Sequence, residues 1–295
     1  MVTAITLMVA TATLHADDAE DKVEAAVTKL GGKLKRDTKV EGNPIVAADF
    51  FNANKLTDAG LKELGELLKS LKSFQTLDLG NNKITDAGLK ELRGIEGLQT
   101  LGLQGNEITD VGLTEIKGLK NLQSLYLGHT KVTDAGLKEL SGLKKLEALS
   151  LGYTNVTEAG LKELKGLQSL RVLFLDGMTV TAVGLKELIA LDKLERLSVD
   201  NSDFTGVGLK QLKDIKNLKE LDLDDTKVTD AGMEEIKQLK GLQELYLART
   251  KITDAGLKEL KELKSLKYLH ITNTKVTDEG VADLQKVLPK VRIRH

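Results

Sequence analysis

The chain has 295 residues, 29% of them charged, with 43 Lys and Arg against 44 Asp and Glu and a formal net charge of −1 at pH 7. Near-neutrality leaves no global field to draw in nucleic acid or an acidic membrane surface, so any electrostatic recognition is local. The absence of cysteine excludes disulfides, thiolate zinc sites and cysteine nucleophiles.

In chain order, residues 1–16 come first. An apolar or small run from Met1 to Leu14 is followed by an acidic stretch from Asp17, which reads as a secretory signal cleaved after Ala16. The run is too short to span a bilayer. Secretion or a periplasmic location follows from that reading. The alternative, a cytoplasmic chain with a frayed N-terminus, rests on the lack of Lys or Arg ahead of the apolar run. Residues 17–43 read as a helix (Ala19–Leu30), a break at Gly31 and Gly32, and a short strand near Lys33 to Lys39. An open repeat core needs a polar cover, so this segment is assigned as an N-terminal cap.

Residues 44–295 are periodic. Threonines recur at Thr57, Thr85, Thr109, Thr133, Thr157, Thr181, Thr205, Thr229, Thr253 and Thr277, and every interval after the first is 24. Self-similarity at this period indicates a solenoid, here of about ten units in one elongated domain. Within a unit, residues such as Leu101 and Leu103 alternate with period two and predict a short strand with its leucines on one side. Spacing then changes to three, as in Leu137, Leu140 and Leu143 or Leu161, Leu164 and Leu167, which places an apolar stripe on a short helix. Asp134 and its equivalents are expected N-caps, with Thr133 as the alternative oxygen. Gly136 and its equivalents permit close backbone approach at the helix start. Stacked units bury their leucines between a parallel sheet and a helical layer, with the strands concave and the helices convex.

The pattern carried by Leu98, Leu101, Leu103, Asn106 and Ile108, followed by VTDAGLKEL-type segments, resembles the leucine-rich repeat family. The TDAGL half is similar to the cysteine-containing subtype of F-box proteins and to repeat arrays of bacterial secreted proteins. The resemblance implies an α/β right-handed horseshoe, with side chains at the ninth position bridging backbone groups between coils. Asn82 and Asn106 occupy that position, then Thr130, Thr154, Thr226, Thr250 and Thr274. Met178 cannot serve there, so a weaker turn is expected.

Irregularities fall near the ends. The first interval of 28 leaves four extra residues around Gly65 to Leu68, about one turn of a longer first helix. A one-residue bulge before Leu56 is needed to turn Ala48 and Phe50 into the core. The two prolines, Pro44 and Pro289, are placed at the first and last strands, where sheet edges tolerate them. Val291 and Ile293 point inward and Lys290, Arg292 and Arg294 outward on a last strand whose charges discourage edge pairing.

Function is expected on the outward residues of the strands. All four tyrosines, Tyr126, Tyr153, Tyr246 and Tyr268, fall there with Phe174, in a chain only 3% aromatic. Tyr combines contact area with a polar tip and favours interfaces; rings that merely cover the sheet are the alternative. Asp176, Asp200 and Asp224 share one position in consecutive units, beside Asp222 and Asp225. Carboxylates at strand spacing repel by roughly 1 kcal/mol even in water. A basic partner surface, bound Ca²⁺, or internal counter-ions at Arg171, Arg196 and Arg249 would each offset this. His129 and His270 lie six units apart and cannot share a metal; with Arg249 they complete the expected partner-binding face.

No GxSxG, HExxH, P-loop or GxGxxG motif is present, no cofactor is expected, and an open sheet offers no closed pocket for catalysis. The leading expectation is a monomeric, non-enzymatic protein-binding scaffold, without nucleic-acid partners or membrane insertion. The alternatives are a substrate-recognition subunit of a ubiquitin-ligase-like complex, which the F-box resemblance implies, a structural spacer, and a cell-wall glycan binder.

Overall fold

The computed structural model describes residues 18–295. The proposed signal segment lies outside the described residues. The chain divides into two compact units, one reaching to Tyr126 and one over Leu127–His295.

The first unit begins with a helix over residues 18–29, in which Val23, Ala26 and Val27 are buried. Strand β1 (Lys33–Arg36) then pairs antiparallel with β2 (Ile45–Asp49). Strands β3 (Thr76–Asp78), β4 (Thr100–Gly102) and β5 (Ser124–Tyr126) follow in parallel register. Pro44 is therefore not at a sheet edge: it immediately precedes β2, which has β1 on one side and β3 on the other. The first helix of the array, Asp58–Leu68, has 11 residues and absorbs the four-residue insertion as expected. Ala48 and Phe50 are each 1% exposed. The residue excess before Leu56 sits in the turn after β2, which holds two left-handed residues, Asn52 and Asn54.

The second unit contains β6 (Ala148–Ser150), β7 (Val172–Phe174), β8 (Arg196–Ser198), β9 (Glu220–Asp222), β10 (Glu244–Tyr246), β11 (Tyr268–His270) and β12 (Arg292–Arg294). Adjacent strands are parallel, and Leu149, Leu173, Leu197, Leu221, Leu245, Leu269 and Ile293 stand in one register line. A constant 24-residue spacing makes this alignment unavoidable. Behind the sheet run short helices such as Asp134–Leu140, Asp230–Ile236 and Asp254–Glu259. Glu158–Gly166 and Leu209–Asp214 are 3₁₀ helices, and Leu260–Glu262 continues an α-helix in 3₁₀ form. Apolar spacing of three is shared by the α-helical coils, as at Leu137 and Leu140, so both helix types bury the same stripe.

A repeated brace joins successive coils. The Thr133 hydroxyl caps its helix by accepting from the Ala135 amide. Asp134 is not the cap. Its Oδ1 accepts from the Thr157 amide at 2.8 Å and its Oδ2 from the Thr157 hydroxyl at 2.7 Å, one coil further on. The same pair of bonds joins Asp230 to Thr253 and Asp254 to Thr277, and in the first unit Asp58 to Thr85 and Asp86 to Thr109. Glu158 serves Thr181 through one oxygen. The glycine after the cap makes room for the carboxylate: a Cβ on Gly160 would lie 2.3 Å from Asp134 Oδ1.

At the ninth position Asn106 bridges coils, donating to the Leu79 and Leu103 carbonyls and accepting from the Ile84 amide. Threonine does less there. Thr130, Thr226 and Thr250 each donate only to a carbonyl three residues back in their own coil, because a hydroxyl is too short to span two coils.

The Thr277 donors hold the Asp254 carboxyl below its ordinary value. A depressed folded-state pKa contributes stability above the unfolded value of about 3.9 and loses it as pH falls through the folded one. Asp254→Ala is expected to cost about 1 kcal/mol at pH 7 in urea unfolding, after allowance for solvent screening, with the difference shrinking as pH falls below about 3.9.

Candidate functional site

Two rows of side chains cover the open side of the second unit's sheet. One row comes from the outward strand positions: Phe174, Arg196, Ser198, Glu220, Asp222, Glu244, Tyr246, Tyr268 and His270. The other follows the strand ends. Asp176, Asp200 and Asp224 recur there, and one residue later the chain turns through a left-handed residue in every coil: His129, Tyr153, Gly177, Asn201, Asp225, Arg249 and Asn273. Each amide at this turn extends the ladder, as when Tyr153 donates to the Asp176 carbonyl at 2.8 Å and Asn201 to the Asp224 carbonyl at 3.0 Å. Gly, Asn, Asp and, to a lesser degree, His suit a positive φ; Tyr153 and Arg249 gain nothing from it.

The aromatic residues lock together. His129 and Tyr153 stack with centroids 4.5 Å apart and planes 7° from parallel. The Tyr153 ring crosses Gly177, where a Cβ would meet Tyr153 Cε1 at 2.6 Å, and its hydroxyl accepts from Asn201 two coils on. Burial raises the Tyr153 phenol above its ordinary value, the Asn201 bond works against that, and nearby Asp200 and Asp176 add to it. Tyr246 packs against Tyr268 at 5.4 Å and edge-on to His270 at 6.2 Å, and donates to Glu244 at 2.9 Å. Burial and that bond raise its phenol as well. The Arg196 guanidinium lies 5.0 Å from the Phe174 ring centroid.

The acidic groups have unequal partners. Asp225 forms a two-pronged pair with Arg249, which holds its carboxyl low. Asp224 accepts from the Ala248 amide at 2.6 Å and faces His270 Nδ1 at 3.1 Å. Asp176 accepts from the Ser198 hydroxyl; burial nonetheless raises its carboxyl, with that bond and Arg196 opposing. Asp222 accepts from the Asp224 amide and is raised by burial too. Asp200 has no hydrogen bond or ion pair to its carboxylate among the described residues. Burial, then Asp176, Asp222, Asp225 and Asp224, push it up to about 6.

Counter-ions expected for the row act elsewhere in part. Arg171 pairs with Glu195, off the row, and Arg196 with Glu220 at 3.1 Å. Of the three, Arg249 is the one that pairs with an aspartate beside the Asp176, Asp200 and Asp224 positions, namely Asp225. The carboxylates do not converge: among the described residues no three His, Asp or Glu side chains are grouped to hold a metal ion. Tyr126 is the one expected residue in the first unit, half-buried at the end of β5. Glu220 and Glu244 were missed as acidic members of the face, although the rule that picks Asp222 and Tyr246 also picks them.

Leucine-rich repeat models match residues 70–92, 96–156, 192–252 and 216–276, and the chain belongs to the leucine-rich repeat family. No curated protein matches it. An internalin C2 from Listeria monocytogenes is similar in structure at a TM-score of 0.55 and 28% identity, over 69% of this chain and 81% of that one. A leucine-rich repeat protein of Leptospira interrogans is similar at a TM-score of 0.56 and 27% identity, over 79% of this chain and 68% of that one. The leucine-rich repeat is a protein-binding scaffold, typically without enzymatic activity. Among the described residues no helix is long and apolar enough to cross a membrane.

Because the folded-state pKa of Asp200 lies above its unfolded value, its favourable contribution is complete below about pH 3.9 and is lost as pH rises through about 6. Asp200→Asn is therefore expected to match the parent chain near pH 4 and to exceed it by about 1 to 2 kcal/mol at pH 7.5 in denaturant unfolding, after allowance for solvent screening.

Proposed function

We propose that the second unit docks a protein through its sheet face and recognises basic groups on that partner. The carrying observation is that Asp200 and Asp222 are part-buried carboxylates without an ion-pair partner among the described residues. Most other acids around them, Glu195, Glu220, Asp224 and Asp225, face a cation or an imidazole. A partner's Lys or Arg placed there relieves repulsion that the fold itself leaves standing. Tyr246, Tyr268 and Phe174 supply adjacent ring surface, the usual companion of arginine at interfaces. Chemistry is not part of this proposal: the Ser198 hydroxyl donates to Asp176, but the pair stands on an open face with no closed pocket around it. Export from the cytoplasm belongs to the same proposal, supported by the reading of residues 1–16.

The test is crosslinking capture from the native source, followed by affinity measurement on the recovered protein. Asp200→Lys combined with Asp222→Lys is expected to weaken binding at least tenfold, whereas Lys138→Glu with Lys162→Glu on the helix side is expected to leave it unchanged. The reverse ranking would remove the proposal.

A further inference from the structure

The brace between coils fails twice in succession. Where Asp134, Glu158, Asp230 and Asp254 supply a carboxylate, the chain has Ala182 and then Gly206. Neither can accept from the next coil, so the equivalents of the braced Thr157, Thr181, Thr253 and Thr277, namely Thr205 and Thr229, have lost their acceptor.

Local structure changes with that loss. No α-helix follows Thr205; the backbone passes through left-handed Gly206 (φ 90) and Gly208 (φ 98) into the 3₁₀ helix Leu209–Asp214. The coils close backbone onto backbone in place of the missing carboxylates. A Cβ on Gly208 would lie 2.5 Å from Ala182 Cα, and one on Gly206 2.7 Å from Gly232 Cα. A different group replaces the brace: Glu235 Oε2 reaches back to accept from the amides of Gly208 at 2.8 Å and Lys210 at 3.2 Å. Beside this, Val183 and Val207 stand 67% and 59% exposed where most other coils carry alanine. The sheet side of the same coils is undisturbed, with β8 and β9 in full register with their neighbours.

We infer that the helix side between Thr181 and Asp230 is a hinge of the second unit, opening as a local segment while the strands in front stay paired. Two glycines with positive φ raise the entropy gained on opening, and two charge-assisted pairs that resist it elsewhere are absent. The hinge lies in the coils that carry Asp200, just past β8, and Asp222, at the end of β9, so its opening adjusts the backing of those residues without breaking the sheet.

Amide hydrogen exchange on the full chain tests this with matched bonds. Lys227 donates to the Phe204 carbonyl at 2.9 Å between coils that lack the brace, while Asn155 donates to Val132 and Lys251 to Val228 at 2.9 Å between braced coils. The Lys227 amide is expected to exchange at least tenfold faster than the other two. Glu235→Ala is expected to accelerate exchange over residues 206–212 and leave β8 and β9 unchanged. Equal rates at Lys227, Asn155 and Lys251, or loss of protection across the whole unit in the Glu235 variant, would overturn the inference.

Discussion

The stacking of one coil's leucines on the next is the constraint on which the rest depends, and a Thr–Asp brace secures it wherever a carboxylate stands at the right position. A coil of 24 residues with one three-residue strand and one short helix has no core of its own, so its leucines are buried only if the next coil arrives in register. The carboxylate of one coil takes both the amide and the hydroxyl of the next coil's capping threonine, and that hydroxyl also caps its own helix. One threonine thus satisfies a helix terminus and sets the stacking distance. Glycine after the cap is required for the same reason, since any Cβ there occupies the carboxylate's place.

Fixed register has a consequence on the opposite side of each coil. Whatever side chain stands outward is repeated beside its equivalent one strand away, which gives the rows of tyrosine and aspartate their geometry. For aromatic residues the arrangement is favourable, as the His129–Tyr153 stack and the Tyr246–Tyr268 contact show. For carboxylates it is costly: burial raises Asp176, Asp200 and Asp222, and neighbouring carboxylates add to the rise at Asp200 and Asp222. Asp176 and Asp222 still accept from the Ser198 hydroxyl and the Asp224 amide, whereas the Asp200 carboxylate accepts no hydrogen bond among the described residues, which is what supports the proposed role in recognition.

Periodicity made the strands, the leucine stripes, the longer first helix and the outward position of the aromatic residues legible in the chain, because each depends on spacing alone. Other features depend on which residue a neighbouring coil presents. Asp134 reads as a cap when its own helix is considered and becomes a brace only when Thr157 is placed beside it. Thr130 looks equivalent to Asn106 by position, yet only the amide reaches two coils. Arg171 and Arg196 are near the acidic row in number, but Glu195 and Glu220 compete for them in space. The left-handed row at Tyr153 and Arg249 was hidden because those residue types do not announce positive φ, whereas Asn81, Gly105 and Gly177 at the same interval do.

The most direct measurement of the central claim is carboxyl footprinting of the protein with and without its captured partner. The account predicts protection at Asp200, Asp222 and Glu220 on the sheet face, with Glu234 and Glu262 on the helix side labelled equally in both states. Protection confined to Glu234 and Glu262, with the sheet-face carboxylates unchanged, would contradict it.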